Sequence, residues 1–425
     1  MNTAACAGGP RLWALAIVIA LTLPSSAAWA LDQFSDQHSK PNFVLRAPRL
    51  TLALKGELEL ELHDLQGEGG PGFDSATDTA TLGTRSPFFE VDAFRLALRV
   101  GYEDLVGVNT VVAFTSRGAA LESAWIDLEL RGPAWLGHRL ILGLEQPIIA
   151  LDRRTERYPL AATIYWRHPE LQLSWQGTTN LSADVSIEVG VALAIMRPLT
   201  FAGVRDSDTQ PGTINILALG TARPFSGNGP SGTGRLRVTT FGAFVEGFAT
   251  LGSLAAEAGS DVLRSGLSRY RELPGDSASS DFGWYGGRLG FDGYGVHALL
   301  ELIRGRMGLL DRHALTAQIS VAIRLWDGPV FHTIEPLVRW ERVGISDSAR
   351  LLSSGNALRS PAPIDAPAWD TQALTGALAI TVYRDLVRLR LEYAALWEDN
   401  GVPALGLASV PLRNDEFLAQ LELRF

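Results

Sequence analysis

From Leu52 the chain reads Leu-Ala-Leu-Lys-Gly-Glu-Leu-Glu-Leu-Glu-Leu-His. Leu52, Leu54, Leu58, Leu60 and Leu62 share one face of an extended chain, and Lys55, Glu57, Glu59, Glu61 and His63 share the other. Strands in soluble proteins average about 5–6 residues, whereas a strand that crosses a bilayer obliquely needs about 9–11. An alternation this long therefore constrains the chain more than any other feature.

The period of two recurs. Phe94, Leu96, Leu98, Val100 and Tyr102 alternate with Arg95, Ala97, Arg99 and Gly101, and Leu315 through Leu325 in steps of two face Thr316, Gln318, Ser320, Ala322 and Arg324. The pattern predicts sixteen strands at about 50–63, 90–102, 106–115, 121–131, 138–146, 161–176, 183–195, 213–222, 234–249, 281–291, 295–305, 313–326, 330–343, 371–383, 387–397 and 415–425. Glycine interrupts the alternation in the eighth to tenth. Tight turns join strands 2–3, 10–11, 12–13 and 14–15, and long loops join 1–2, 5–6, 7–8, 9–10, 13–14 and 15–16. This parity is the layout of an outer-membrane barrel, with both ends of the chain at the short-turn, periplasmic side. Open strand edges in hydrocarbon would leave backbone groups without partners, so the expected fold is all-β, a closed transmembrane antiparallel β-barrel of about 16 strands. At that size side chains cannot fill the interior, which predicts an aqueous channel.

Targeting agrees with this reading. Residues 1–30 carry one charge, Arg11, then an apolar run from Leu12 to Leu23, a break at Pro24-Ser25-Ser26 and the small-x-small triplet Ala28-Trp29-Ala30. That is the layout of a secretory signal peptide; as a membrane anchor the run is short of the ~20 residues needed. Residues 31–49 then form a short periplasmic segment, and 50–425 the barrel. Removing the signal leaves 36 basic against 46 acidic residues, a charge of -10. Its loss also removes Cys6, the single cysteine, so the exported chain has no disulfide framework and no thiol nucleophile. A charge of this sign excludes a nucleic-acid partner. Lysine occurs only at Lys40 and Lys55, so arginine supplies the positive charge.

Alternation also assigns the lumen. With the apolar rows against outer-membrane lipid, the inside receives Arg95, Arg99, Arg131, Arg139, Arg324, Arg339, Arg388 and Arg390 with Glu57, Glu59, Glu61 and Glu129. Lys55, Arg235, Arg237, Arg424, Asp127, Glu145, Glu188, Glu301, Glu335, Glu341, Glu392 and Glu422 fall on the same face. An arginine or lysine facing mid-bilayer lipid would cost about 2–4 kcal/mol. The bland alternative for any of these charges is a salt-bridged row that braces the wall. No His-Glu-x-x-His, no close histidine pair and no phosphate loop occurs, so neither a catalytic residue, a metal site nor a cofactor is expected.

Several segments resemble the phosphate-selective porin O/P family of bacterial outer-membrane proteins. They are Phe89 to Gly101, Leu142-Gly143-Leu144-Glu145-Gln146-Pro147, Ile334 to Val343, and Leu374 to Tyr393 with its Tyr383-Arg384-Asp385 turn. The final stretch Asn414 to Phe425 resembles the last strand of outer-membrane proteins, whose terminal aromatic is read by the barrel-insertion machinery. The resemblance implies a porin, a passive diffusion channel for small hydrophilic or anionic solutes, assembled as a homotrimer. It also implies that the third long loop folds inward, so that Asp152, Arg153, Arg154, Glu156 and Arg157 set the constriction; the alternative is a solvated extracellular loop. The lysine-rich ladder of the phosphate-specific members is absent, so the expected selectivity is a weak anion preference without a tight phosphate site. The competing function is a structural or adhesion barrel with ligand-binding loops.

Overall fold

The computed structural model describes residues 43–65, 71–73, 80–82, 88–103, 105–115, 118–130, 136–149, 154–156, 159–164, 170–195, 199–200, 218–219, 230–253, 281–307, 309–325, 331–346, 357–359, 368–383, 386–409 and 415–425. The signal-peptide reading of residues 1–30 lies outside them.

Sixteen long strands form the wall: β1 (Leu50–Leu65), β2 (Phe88–Tyr102), β3 (Val106–Thr115), β4 (Gly118–Leu130), β5 (Leu136–Glu145), β6 (Glu170–Asn180), β7 (Val185–Ile195) and β8 (Pro230–Thr240). They continue with β9 (Ala243–Ser253), β10 (Asp281–Gly293), β11 (Val296–Met307), β12 (Leu310–Val321), β13 (Phe331–Ile345), β14 (Asp370–Val382), β15 (Val387–Asp399) and β16 (Glu416–Arg424). Each pairs antiparallel with the next, and β1 pairs with β16 through Glu57↔Arg424 to Leu65↔Glu416, so the sheet closes on itself. Closure satisfies every ladder, as a lipid-embedded sheet requires.

Two pieces extend this wall. Beyond Arg424 the free edge of β1 is taken by a short strand, Phe43–Arg46, paired from Phe43↔Leu54 to Arg46↔Thr51. After Ala322, Ile323–Arg324 continues β12 against β13.

The count of sixteen agrees with the sequence pattern through two compensating differences. Of the expected strand at 213–222 only Ala218–Leu219 is among the described residues; it pairs with Leu199–Thr200, apart from the barrel, and β7 pairs directly with β8. The expected strand at 234–249 is two strands, β8 and β9, joined at Phe241-Gly242. Phe241 takes φ 49° and Gly242 φ 84°, and Tyr294-Gly295 at the β10–β11 turn takes 56° and 77°. Both are two-residue hairpins with positive φ at both positions, which suit the strand twist. Aromatic residues rarely occupy the first of these positions, so no local turn chemistry marked the β8–β9 break. The sixth strand also starts later than expected, at Glu170, because Leu160–Thr163 is a short 3-10 turn.

The alternation divides the faces as elementary physics demands. Outward positions such as Leu98, Ile126, Leu142, Leu193, Leu289, Leu300 and Val338 are exposed apolar groups, a belt that only lipid would solvate favourably. Inward positions carry the charges. An apolar cluster also lies inside: Ala192, Phe248, Trp284, Ile303, Leu310, Ala314, Val343, Ile345, Ala373 and Leu396 pack with Ile148, Ile149, Leu160, Ala161 and Ile164. The last five belong to the β5–β6 connection, so that loop is inside the barrel. Burial of these side chains drives the insertion, each isoleucine or leucine contributing about 1.5–3 kcal/mol.

The lumen and its inserted loop as candidate functional site

The β5–β6 loop is held by backbone and side-chain contacts from β6 around to β16. At its start Gln172 Nε2 donates to the Gln146 carbonyl at 2.6 Å, and Arg235 Nη1 to the Ile148 carbonyl at 3.1 Å. Gly190 lies under Ile148, whose Cδ1 is 3.3 Å from where a Cβ would sit. In the middle Arg339 donates to the Thr155 hydroxyl, and the Glu156 amide donates to Glu392. The Glu156 carboxylate accepts from Arg390 Nη1 at 3.0 Å and Gln420 Nε2 at 2.7 Å. Arg154 Nη1 donates to Glu335 Oε1 at 3.2 Å, and its Nη2 lies 3.6 Å from Asp292 Oδ2. At its end the Leu160 amide donates to Glu341 Oε1 at 2.7 Å. Polar groups of the wall thus satisfy loop backbone that would otherwise be buried without partners.

Of the residues assigned to a constriction from sequence, Arg154 and Glu156 are in this inserted segment. Asp152, Arg153 and Arg157 lie outside the described residues, as does Arg131 among those assigned to the lumen. The anchors Ile148, Ile149, Leu160 and Ile164 were not singled out from sequence. The signal was present as an apolar run, Pro147 to Leu151, inside what otherwise reads as a connection.

None of these loop-holding contacts comes from β1 to β5, which carry a ladder of charges. Lys55 Nζ is 3.2 Å from Glu57, Arg95 bridges Glu57 at 3.7 Å, Glu59, and Glu122 at 3.1 Å. Arg99 and Arg139 flank Asp127 at 3.4 and 3.6 Å. Glu129 stands opposite Arg139 in the β4–β5 register. Glu61 is buried and accepts from Gln420 at 2.7 Å.

Around the rest of the wall Arg235 meets Glu188 at 2.6 Å, and Arg288 spans Glu246 and Glu301 at 2.9 and 2.5 Å. Arg339 meets Glu341 at 2.9 Å, Arg388 meets Glu335 at 3.6 Å, and Arg390 lies 3.7 Å from Glu422. Arg324 is exposed near the short-turn rim, opposite Thr333.

Within these pairs the two signs are not equally placed. Arg95 is 19% exposed above Glu57 and Glu59 at 4% and 5%, and Arg99 and Arg139 are 16% and 15% exposed above Asp127 at 6%. Arg237 is 29% exposed beside Glu246 at 2%. Long guanidinium arms reach toward the lumen while shorter carboxylates stay against the sheet. Glu122, at 36%, and Glu335, at 15% beside Arg388 at 10%, run the other way. Among the described residues no group of three or more His, Cys, Asp or Glu is gathered to hold a metal ion.

The closed sixteen-strand wall, the outward apolar belt and a long loop folded into a charged lumen decide the fold. It is the fold of outer-membrane porins. The barrel is similar to OmpF of Salmonella typhi, solved with daunomycin, at 9% identity over 90% of this chain and all of that one, TM-score 0.54. It is similar to OprB of Pseudomonas putida at 10% identity, over 88% of this chain and 94% of that one, TM-score 0.52. The outer-membrane channel DcaP of Acinetobacter baumannii matches at 10% identity over 90% and 99%, TM-score 0.49. No protein-family model and no curated protein sequence matches the chain. The closed barrel with its apolar belt is a protein of the outer membrane.

Proposed function

We propose that the barrel is a passive diffusion channel for small hydrophilic solutes, with a weak preference for anions. The supporting observation is the exposure of arginine over carboxylate along β1 to β5, the part of the wall that none of the named loop contacts uses. An anion about 5 Å from a guanidinium and about 8 Å from its carboxylate, in water, gains roughly 0.3 kcal/mol per pair. A few such pairs favour anions several-fold and no more. The chain's net charge of -9 works against this at the mouth, but screening damps outer-loop charges over about 8 Å at physiological salt.

On this reading the inserted loop, with Asp152, Arg153, Arg154, Glu156 and Arg157, forms the constriction. Arg154 is already engaged by Glu335 and Asp292, so it contributes less charge than the sequence alone suggests. Resemblance to the phosphate-selective porin O/P family supports this, along with a homotrimer and Phe425 as the residue met by the barrel-insertion machinery. A high-affinity phosphate site is not part of it.

The test is planar-bilayer recording. The reading expects stepwise ohmic conductance and a reversal potential on the anion side under a salt gradient, moved toward cations by changing Arg153, Arg154 and Arg157 to Ala. Correctly folded protein without conductance would sink the channel in favour of an adhesion or structural barrel. Block of chloride current by micromolar phosphate would restore the tight phosphate site.

A further inference from the structure

Among the described residues, the outward-facing arginines of the long-loop half are Arg304 and Arg306 of β11 and Arg342 of β13, on either side of β12. On each strand they are the first polar positions beyond the apolar belt. Leu300 and Leu302 precede Arg304, and Val338 and Trp340 precede Arg342. On β12 between them, His313 is exposed and stands directly opposite Arg304. Tyr285 of β10, 54% exposed, pairs with Arg304 from the other side.

Two carboxylates face this group. Asp311 holds the Arg304 guanidinium in a two-point pair at 3.0 and 2.6 Å. Asp370 lies beside His313 across Gly344, and it is engaged by Arg359 at 3.3 Å. Asp399 meets the same Arg359 at 2.9 Å, so Arg304, Arg306, Arg342 and Arg359 stand against Asp311, Asp370 and Asp399 and leave the face positive by one, in a chain whose net charge is -9.

We propose that this face binds the phosphates of lipopolysaccharide in the outer leaflet. An outward arginine is tolerated only near the interface, where its cost falls to about 0–1 kcal/mol. Long loops mark the extracellular rim, so the arginines stand at the level of the outer leaflet's headgroups, which in this membrane are phosphorylated glycolipid. Guanidinium matches phosphate with paired, charge-assisted hydrogen bonds. Arg304 is already held in one geometry by Asp311, and Leu302, Leu315 and Trp340 directly below give the acyl chains an apolar wall. The inference stands apart from the channel reading, because none of these residues faces the lumen.

The experiment uses purified, detergent-folded protein and native mass spectrometry, with diphosphoryl lipid A and the same lipid stripped of its phosphates as probes. The wild type is expected to bind the diphosphoryl form more than tenfold tighter, since each basic residue near an anionic headgroup layer contributes roughly fivefold. R304Q/R306Q/R342Q should lose that preference, while R46Q/R49Q, at the opposite rim, should keep it. Should the triple variant fold poorly by heat-modifiable gel migration, Arg342→Gln alone should lower affinity about fivefold. Equal affinity of the wild type for the two probes, or undiminished preference in R304Q/R306Q/R342Q or, where that folds poorly, in Arg342→Gln, would overturn the proposal. So would loss of oligomer in the triple variant with lipid binding intact, which would make this face a contact between copies of the chain.

Discussion

Arg390 of β15 donates from Nη1 to Glu156 Oε2 of the inserted loop at 3.0 Å, joining residues 234 positions apart in the chain. Both side chains are buried. The pair ties the middle of the loop to the wall opposite its point of departure. Removing one partner of a buried pair strands the other, at about 3–5 kcal/mol.

Arg390→Ala should therefore release the middle of the loop while Gln420 still holds one Glu156 oxygen. The expected result in planar bilayers is larger and noisier unitary conductance, with barrel migration on gels unchanged. Conductance equal to that of the wild type would show that the apolar seat alone fixes the loop.

The apolar seat has its own test at Gly305. A Cβ there would run into Ile164 Cγ2 and lie 3.5 Å from Trp284 Cβ. Gly305→Val should push the end of the loop off the wall, an overpacking effect of about 1–3 kcal/mol. In that background a cysteine at Ala161, which is fully buried in the native barrel, should become reactive to a water-soluble thiol reagent. Unchanged labelling would mean that the strand yields instead of the loop.

At the seam, Phe425 stacks on Phe94 with ring centroids 5.9 Å apart and covers the outer face of Gly56. Its amide also donates to the Gly56 carbonyl at 2.9 Å. Phe425→Ala keeps the backbone bond and loses the stack, worth roughly 1 kcal/mol. The folded fraction in lipid vesicles, read by heat-modifiable migration, should fall at intermediate urea. An unchanged midpoint would assign Phe425 no part in closing the barrel.

The exposed arginines give the fourth prediction. Arg95→Gln, Arg99→Gln and Arg139→Gln together should shift the reversal potential toward cations, by removing the guanidinium groups that stand over Glu57, Glu59 and Asp127. The shift should exceed that of Arg154→Ala, because three charges are removed and each is more exposed than Arg154, at 12%. An equal or smaller shift would place the selective charge on the loop.

The wall was legible because lipid on one side and water on the other force every strand into strict alternation. Where glycine replaces side chains, as at Gly232 and Gly234 of β8, the signal fades and the strand was misplaced. The charged row on each strand was legible for the same reason as the wall. Their partners were not, since Glu156 meets Arg390 and Gln420 only after the barrel has closed. The apolar seat was missed because Phe248, Trp284 and Ile303 point inward, against the rule that assigned apolar rows to lipid. That rule fails where a loop, not water, covers the wall.

The arrangement of guanidinium over carboxylate makes the inner surface of β1 to β5 a layer of aligned dipoles. Such a layer can favour one sign at its surface even where carboxylates outnumber bases, as Glu57, Glu59, Glu61, Glu122, Asp127 and Glu129 do Lys55, Arg95, Arg99 and Arg139. The dipolar part of its potential also dies away faster with distance than that of a net charge. The outer loops are then free to change charge, as contact with the surroundings demands, with little effect on the field felt by a particle already beside Arg95 and Arg99.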